Sequence, residues 1–173
     1  KEIAKCIEDD VWHVRYRAVE ALGRIESDKV FKPLITALND PNWQVRRRAI
    51  QVLGNFRSNR VLSSLEACLQ DEVWSVRESA AEALAKLKSE KSIKVLIEAL
   101  HDPNWHVRSM AVTALREIGS EDAIRALVDV LSDDIWMVHW KAAHTLGKIG
   151  TTAIFSVLCR LGKEPDSFLA EVS

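Results

Sequence analysis

Apolar positions recur along the chain with a helical period that is nested inside a longer period of 31 residues. In residues 27–57, one apolar face with helical spacing ends at Leu38 and a second begins at Val45. The segment therefore predicts a short first helix, helix A, followed by a longer second helix, helix B. The strict alternation of a half-buried strand is sustained nowhere, so we expect essentially no β-structure.

Residues that favour helix starts precede both helices of the unit. A hydroxyl side chain precedes each helix A after the first, and we expect it to be the N-cap. Asp40 followed by Pro41 predicts Asp40 as the N-cap of helix B, with proline at the first helical position. Helix B is expected to close around Gly54 and a polar turn. The hydroxyl column consists of Ser27, Ser58, Ser89, Ser120 and Thr151.

The unit occurs five times. Steps of 31 residues from Trp12, Val14 or Leu22 meet the same residue type in all five copies. Such self-similarity is typical of a repeat array, in which each unit buries its apolar faces against its neighbours. We expect a single domain, 1–173, whose units span about 1–26, 27–57, 58–88, 89–119 and 120–150, with a final helix and tail at 151–173.

The segment from Asp40 to Gly54, D-P-N-W-x-V-R-x-x-A-x-x-x-L-G, resembles the HEAT repeat. More narrowly, it resembles the short bacterial and archaeal HEAT-like repeats that are also found in phycobilin lyase subunits. The resemblance implies an all-α, right-handed α-solenoid of about five 31-residue helix-turn-helix repeats, with the B helices lining the concave surface. It indicates function only broadly, because that family consists mainly of binding scaffolds.

Four positions of helix B differ freely between units, and we call them the variable stripe. On a helical wheel they face away from helix A, so we expect them to be exposed. Variation on a regular frame is typical of a recognition surface, although unconstrained solvent positions would also drift. The stripe consists of His13, Tyr16, Arg17 and Glu20; Gln44, Arg47, Arg48 and Gln51; Ser75, Glu78, Ser79 and Glu82; His106, Ser109, Met110 and Thr113; and Met137, Trp140, Lys141 and His144.

Large apolar residues in the stripe favour recognition, because Met110, Met137 and Trp140 are poor choices for solvation alone. We therefore expect units four and five to contribute most to binding. The candidate binding residues of the concave face combine stripe positions with the recurring tryptophans. They are Trp12, His13, Tyr16, Arg17, Trp43, Gln44, Arg47, Arg48, Trp74, Trp105, His106, Met110, Trp136, Met137, Trp140, Lys141 and His144.

The tryptophan column, which consists of the five tryptophans spaced 31 residues apart, has two interpretations. Each indole could fill a notch beside helix B of the next unit. Alternatively, the five could form an aromatic track that grips a peptide or stacks on bases. Repetition in every unit favours the structural interpretation, and a partly exposed indole could serve both purposes.

Arginine recurs in four units, and aspartate recurs in five. Their pairing predicts an inter-unit ladder of bidentate Arg–carboxylate bonds, with a phosphate-binding track as the alternative. His139 replaces the arginine in unit five, where the ladder is expected to stop. The arginines are Arg15, Arg46, Arg77 and Arg108, and the aspartates are Asp9, Asp40, Asp71, Asp102 and Asp133.

Charge and motif content narrow the function classes. The net charge of −1 gives no general attraction to nucleic acid, and no apolar run is long enough to span a membrane. No histidine precedes a glutamate, and His139 and His144 are five residues apart rather than four, which argues against a helical metal site. Because phosphate-loop, nucleophile-elbow and dinucleotide motifs are also missing, we expect no enzyme activity, metal or cofactor.

The sequence favours a cytoplasmic scaffold that binds a protein or peptide on its B-helix face. Cys6 and Cys68 are predicted to be small buried residues of helix A, and three unpatterned cysteines favour a reducing compartment. The chain begins inside a helix A without an N-cap, so end-to-end self-association is an additional expectation.

Two alternative functions follow from the resemblance. HEAT-like DNA glycosylases cradle a duplex with basic and aromatic residues, which Arg17, Arg47 and Arg48 would suit. Glu78 and Glu82, in the middle of the stripe, count against a long nucleic-acid track. The second alternative is a bilin lyase-type subunit.

Overall fold

Short and long helices alternate along the chain, as the two nested periods predict. The computed structural model describes residues 2–25 and 27–150, and these residues contain no strand. The predicted sixth helix A, at 153–161, lies outside the described residues. The helices are α1 Glu2–Lys5, α2 Trp12–Leu22, α3 Phe31–Ala37, α4 Trp43–Asn55, α5 Leu62–Ala67, α6 Trp74–Leu87, α7 Ile93–Ala99, α8 Trp105–Ile118, α9 Glu121–Asp129 and α10 Trp136–Ile149.

Serine caps begin most of the described A helices, which are the odd-numbered ones. Ser27 Oγ accepts a hydrogen bond from the Lys29 amide at 3.3 Å, and Ser120 Oγ accepts one from the Ala123 amide at 3.2 Å. Ser58 caps in the same way, whereas Ser89 makes no side-chain cap bond. Ser120 is the N-cap of α9, whereas Ser27 and Ser58 cap the 3₁₀ turns Asp28–Val30 and Asn59–Val61 that lead into α3 and α5. The predicted serine caps are thus confirmed at the start of three helix A segments, and Thr151 lies outside the described residues.

The prediction that Asp40 is the N-cap of helix B is wrong. The N-cap of α4 is Asn42, whose Oδ1 accepts from the Gln44 amide at 2.8 Å, and Asn104 caps α8 in the same way. Pro41 lies outside the helix. The carboxylate of Asp40 instead accepts from the Asn42 amide and binds an arginine of the preceding unit, so its oxygens are committed elsewhere.

Helix B closes around Gly54 as predicted, since α4 ends at Asn55, and the glycine also serves helix packing. Gly54 is buried inside α4, where an added Cβ would lie 2.8 Å from the Cβ of Ala83 in α6. The turn comes three residues later, in the left-handed conformation that often ends helices. This position is occupied by Arg57, Lys88, Gly119 and Gly150.

The core lies between two rows of helices. Each B helix packs beside the B helix of the next unit and against its own helix A. The valine and leucine columns are fully buried in units two to five, from Val45 and Leu53 onward. The Ile50 column, predicted to meet the next unit, is also fully buried at Val19, Ile50, Ala81 and Val112. The repeated apolar positions therefore form one continuous core.

A ladder of charged hydrogen bonds joins successive units, and the prediction is confirmed. Arg46 donates from Nε and Nη2 to the two carboxylate oxygens of Asp71 at 2.7 and 2.8 Å, and from Nη1 to the Asp40 carbonyl at 3.0 Å. These bonds with Asp71 raise the pKa of Arg46 above its ordinary value, so the guanidinium stays charged. The four pairs are Arg15–Asp40, Arg46–Asp71, Arg77–Asp102 and Arg108–Asp133.

At unit five, His139 stands in the arginine column, and its Nδ1 lies 3.4 Å from the Asp133 carbonyl. The next-unit position that would pair with it lies outside the described residues, so the end of the ladder at unit five stays a prediction. Burial raises the pKa of Asp133, but hydrogen bonds from Arg108 and the Ile135 amide outweigh it and leave the pKa below its ordinary value. Asp133 therefore stays ionised at neutral pH.

Replacing an interior ladder arginine should lower stability sharply. Arg77→Gln leaves Asp102, whose side chain is only 7% exposed, without its partner, and we expect a loss of about 3 kcal/mol in the free energy of unfolding. Urea unfolding followed by circular dichroism measures it. The control is Arg60→Gln, whose pair with Asp28 is exposed and should matter by less than about 1 kcal/mol. Equal losses in the two variants would contradict the ladder's role.

Truncating a fully buried leucine tests the core face of helix B. Leu84→Ala should cost about 2–5 kcal/mol, because the surrounding helices cannot fill the cavity completely. Leu53→Ala should behave alike. A loss below about 1 kcal/mol in urea unfolding would show that this face is not the core.

Two glycines of helix B should respond in opposite ways to alanine. Gly54→Ala forces Cβ against Ala83, and we expect a loss of about 1–3 kcal/mol. No atom of the described residues lies within 4 Å of a Cβ at Gly147 in α10, so Gly147→Ala should stabilise by about 0.5–1 kcal/mol through helix propensity. Thermal unfolding of the two variants checks the signs, and a shift in the same direction would contradict this account.

Candidate functional site

The variable stripe runs along the B helices, and most of its described side chains are exposed or half-buried. Three serines are exceptions to the expected exposure: Ser75, Ser79 and Ser109 are buried. Longer side chains from neighbouring units reach two of them. Arg47 Nε donates to Ser79 Oγ at 3.1 Å, and Lys141 Nζ donates to Ser109 Oγ at 3.0 Å. The serines therefore support stripe residues of adjacent units.

The tryptophan column is only partly enclosed by the repeat. Trp43, Trp74 and Trp136 are exposed, and Trp12 and Trp105 are half-buried. Each indole thus has an exposed or half-exposed face, and the role of that face stays a prediction. Inter-unit contact does occur, since the ring of Trp74 stacks on His106 at 4.9 Å between centroids. Trp74 therefore contacts the next unit and still presents a free surface.

Histidines of the stripe stack on these indoles. His106 lies against both Trp74 and Trp105, with the Trp105 ring centroid 3.7 Å away, and its Nδ1 is 3.9 Å from Glu78 Oε1. The rings of Trp140 and His144 stack at 5.1 Å. Aromatic contacts thus connect helix B of unit three to helix B of unit four.

Units one and two enclose a cavity of about 300 Å³ on the stripe, which we call the arginine groove. Aromatic side chains and guanidinium groups share its walls. Sequence reasoning identified most of these residues as binding candidates but did not predict that they form one cavity. The lining residues are Trp12, His13, Tyr16, Arg17, Trp43, Gln44, Arg47, Arg48 and Gln51.

One carboxylate serves two of the arginines in the groove. Glu20 accepts from Arg17 Nη1 at 2.7 Å and from Arg48 Nη2 at 2.8 Å. The hydrogen bond from Arg17, with the nearby positive charges, lowers the pKa of Glu20. The guanidinium of Arg48 also lies over the ring of Tyr16 at 6.0 Å, and its buried Nε has no hydrogen-bond partner among the described residues.

At the opposite end of the stripe, α10 exposes a cluster of large apolar side chains, which we call the unit-five patch. Trp136 is 61% exposed and Trp140 is 51% exposed, with Met137 between them along the helix. Burial lowers the pKa of the adjacent Lys141. The sequence indicated this end of the stripe as apolar, and the side chains are exposed as expected.

The cysteine predictions are partly wrong. Cys6 is exposed rather than buried. Cys68 is half-buried, its Sγ donates to the Ser64 carbonyl at 3.2 Å, and burial raises the pKa of its thiol to about 11. Cys68 therefore stays protonated and poorly nucleophilic near neutral pH. Cys159 lies outside the described residues.

The described residues lack two features, a cluster of metal ligands and a helix that could span a membrane. Residues 2–25 and 27–150 contain no group of three or more His, Cys, Asp or Glu side chains placed to hold a metal ion. Among the helices that the structure describes, none is long and apolar enough to cross a bilayer.

Comparison with protein families decides the classification. A family model for HEAT repeats matches residues 31–105 and 93–172. The chain belongs to the HEAT-repeat family. A model for the PBS lyase HEAT-like repeat also matches residues 14–40, in agreement with the narrower resemblance read from the sequence. No curated protein matches the chain significantly.

Solved structures confirm that this HEAT-repeat chain is an all-α solenoid. The complex of CpcE and CpcF of phycocyanin lyase from Nostoc sp. PCC7120 aligns with a TM-score of 0.74 and 24% identity, over 92% of this chain and 68% of that one. The structure of YibA of E. coli aligns with a TM-score of 0.72 and 26% identity, over 91% of this chain and 62% of that chain. A designed armadillo repeat protein in complex with the peptide (KR)4 aligns with a TM-score of 0.64 and 19% identity, over 99% of this chain and 95% of that chain.

Proposed function

We propose that this HEAT-repeat chain is a non-enzymatic interaction scaffold that binds an extended protein segment on its B-helix face. The observation that carries the proposal is the unit-five patch, where Trp136, Met137 and Trp140 are exposed together on one helix. Exposed apolar clusters of this kind are typical of interaction sites. Indoles and methionines also suit adaptable contacts with a peptide.

The length of the bound segment follows from the spacing of the units. Neighbouring helices pack about 8–10 Å apart, so units two and five are separated by about 30 Å. An extended chain covers about 3.3 Å per residue, and a segment of about ten residues would therefore contact both the arginine groove and the unit-five patch. Between them, the exposed face of Trp74 provides an intermediate aromatic contact.

Two structural relatives support the choice of a protein ligand. The phycocyanin lyase structure is a complex of CpcE with CpcF, and the designed armadillo repeat protein is in complex with a peptide. Solenoids of this shape thus offer surfaces that accept protein chains. The proposal for this chain depends on its own exposed residues.

Nucleic acid is a second candidate because Arg17, Arg47 and Arg48 gather in one groove beside exposed indoles. The acidic side chains of Glu78 and Glu82 follow on the same stripe and oppose a longer phosphate track. A gel shift whose affinity falls steeply with salt would favour this candidate. The match to the PBS lyase HEAT-like repeat motivates a further check, in which bilin is added and its absorbance is followed.

Loss of the apolar anchors should weaken binding. Peptides that bind the chain are selected from a displayed random library, and their affinities for variants are measured by fluorescence anisotropy. Trp140→Ala and Met137→Ala should each weaken binding about tenfold or more, because a central aromatic or apolar anchor is removed. Lys94→Ala, on the exposed surface of α7, is the control and should leave affinity unchanged. Unchanged binding in both anchor variants would refute the proposed face.

A further inference from the structure

Two sets of arginines in this chain have opposite surroundings. The ladder arginines donate to a carboxylate and to a backbone carbonyl, and their side chains are 10–13% exposed. Their donors are occupied within the protein, so a ligand cannot use them. Arg17, Arg47 and Arg48 belong to the variable stripe instead and line the arginine groove.

The arginines of the groove have more donors than the protein satisfies. Within the described chain, the only hydrogen bond of the Arg47 side chain is from Nε to Ser79 Oγ, which leaves both terminal nitrogens available. Arg48 has an unpartnered Nε and a long contact of 3.4 Å with Gln51 in addition to its bond with Glu20. Glu20 therefore pairs with two of the three guanidinium groups, Arg47 has no acidic partner among the described residues, and the groove keeps an excess of positive charge.

The position of acidic groups further along the stripe confines this excess to units one and two. Glu78 lies near His106, and Glu82 pairs with Lys86 at 3.1 Å. These carboxylates would repel an acidic group placed at unit three. An acidic part of a ligand is therefore favoured in the groove and disfavoured in the middle of the stripe.

The remaining walls of the groove suit the neighbours of an acidic residue. The indoles of Trp12 and Trp43 and the ring of Tyr16 provide apolar area beside the guanidinium groups. A volume of about 300 Å³ accommodates one or two side chains rather than a whole macromolecular surface. The groove thus combines a charge site with an adjoining apolar site.

We propose that the arginine groove binds an acidic segment of the partner protein, with an Asp or Glu carboxylate on Arg47 and Arg48 and a neighbouring apolar side chain against Trp12 and Trp43. This inference rests on the proposed function, since it specifies the chemistry of the segment that the stripe binds. The segment would carry its acidic residues at units one and two and its apolar residues at the unit-five patch.

Matched synthetic peptides test the proposal. Three fluorescein-labelled peptides of about ten residues share the same apolar residues and carry at one end two glutamates, two glutamines or two lysines, and each is made in both sequence directions. Anisotropy with the full chain should give binding of the glutamate peptide about tenfold tighter than that of the glutamine peptide, because charge-assisted hydrogen bonds are stronger. The advantage should shrink between about 50 and about 200 mM salt.

Variants locate the effect. The combined Arg47→Gln and Arg48→Gln variant should lose the preference for glutamate, and Arg60→Gln, an exposed arginine of another surface, should keep it. Glu20→Gln removes the competing carboxylate and should tighten the glutamate peptide severalfold, a gain that a folding defect could not produce. Circular dichroism confirms that each variant is folded before binding is compared.

The outcomes separate this inference from the proposed function. If glutamate and glutamine peptides bind equally while Trp140→Ala weakens both, the acidic specificity is wrong and the scaffold proposal stands. The same conclusion follows if the glutamate preference survives the double arginine variant. Displacement of the glutamate peptide by an equal concentration of single-stranded oligonucleotide would make the groove a phosphate site and overturn the inference. If neither synthetic nor selected peptides bind, both proposals fail.

Discussion

The bidentate bond between an arginine of one unit and an aspartate of the next is the interaction on which the order of the array depends. Apolar burial between B helices is strong but not directional, so it allows neighbouring units to slide. The arginine fork fixes their register, because it binds two carboxylate oxygens and a carbonyl at the start of its own helix. The same aspartate also shapes the turn before helix B by accepting the amide two residues later.

This arrangement separates the residues that build the solenoid from the residues that are free to vary. The ladder and the apolar columns occupy the faces between helices, whereas the stripe occupies the remaining arc of helix B. The separation is incomplete at Ser79 and Ser109, which lie in the stripe by position but are buried under Arg47 and Lys141 of adjacent units. The recognition surface is therefore supported partly by its own small residues.

The sequence was sufficient to predict the helix pairs, the core columns and the ladder, because each depends on a pattern repeated in every copy. Features that depend on local competition were missed. The sequence favours Asp40 as the N-cap of helix B, but the Asp40 carboxylate binds Arg15. Asn42 is therefore the N-cap instead. The arginine groove combines residues 12 to 51 of two units, and no single-unit pattern could indicate that their donors exceed their acceptors.

The arginine–aspartate ladder affects how the gene can gain or lose whole repeat units. Each arginine finds its acid 25 residues downstream, in the following copy, and the backbone carbonyl it needs lies in its own copy. Unequal recombination that deletes or duplicates one whole internal block would restore every junction without a compensating mutation. Ligand specificity would change in such an event, because Arg47 donates a hydrogen bond to Ser79 of the next unit and a new neighbour would alter this contact. The array can therefore gain or lose whole repeat units, whereas its ligand preference depends on each pair of adjacent units.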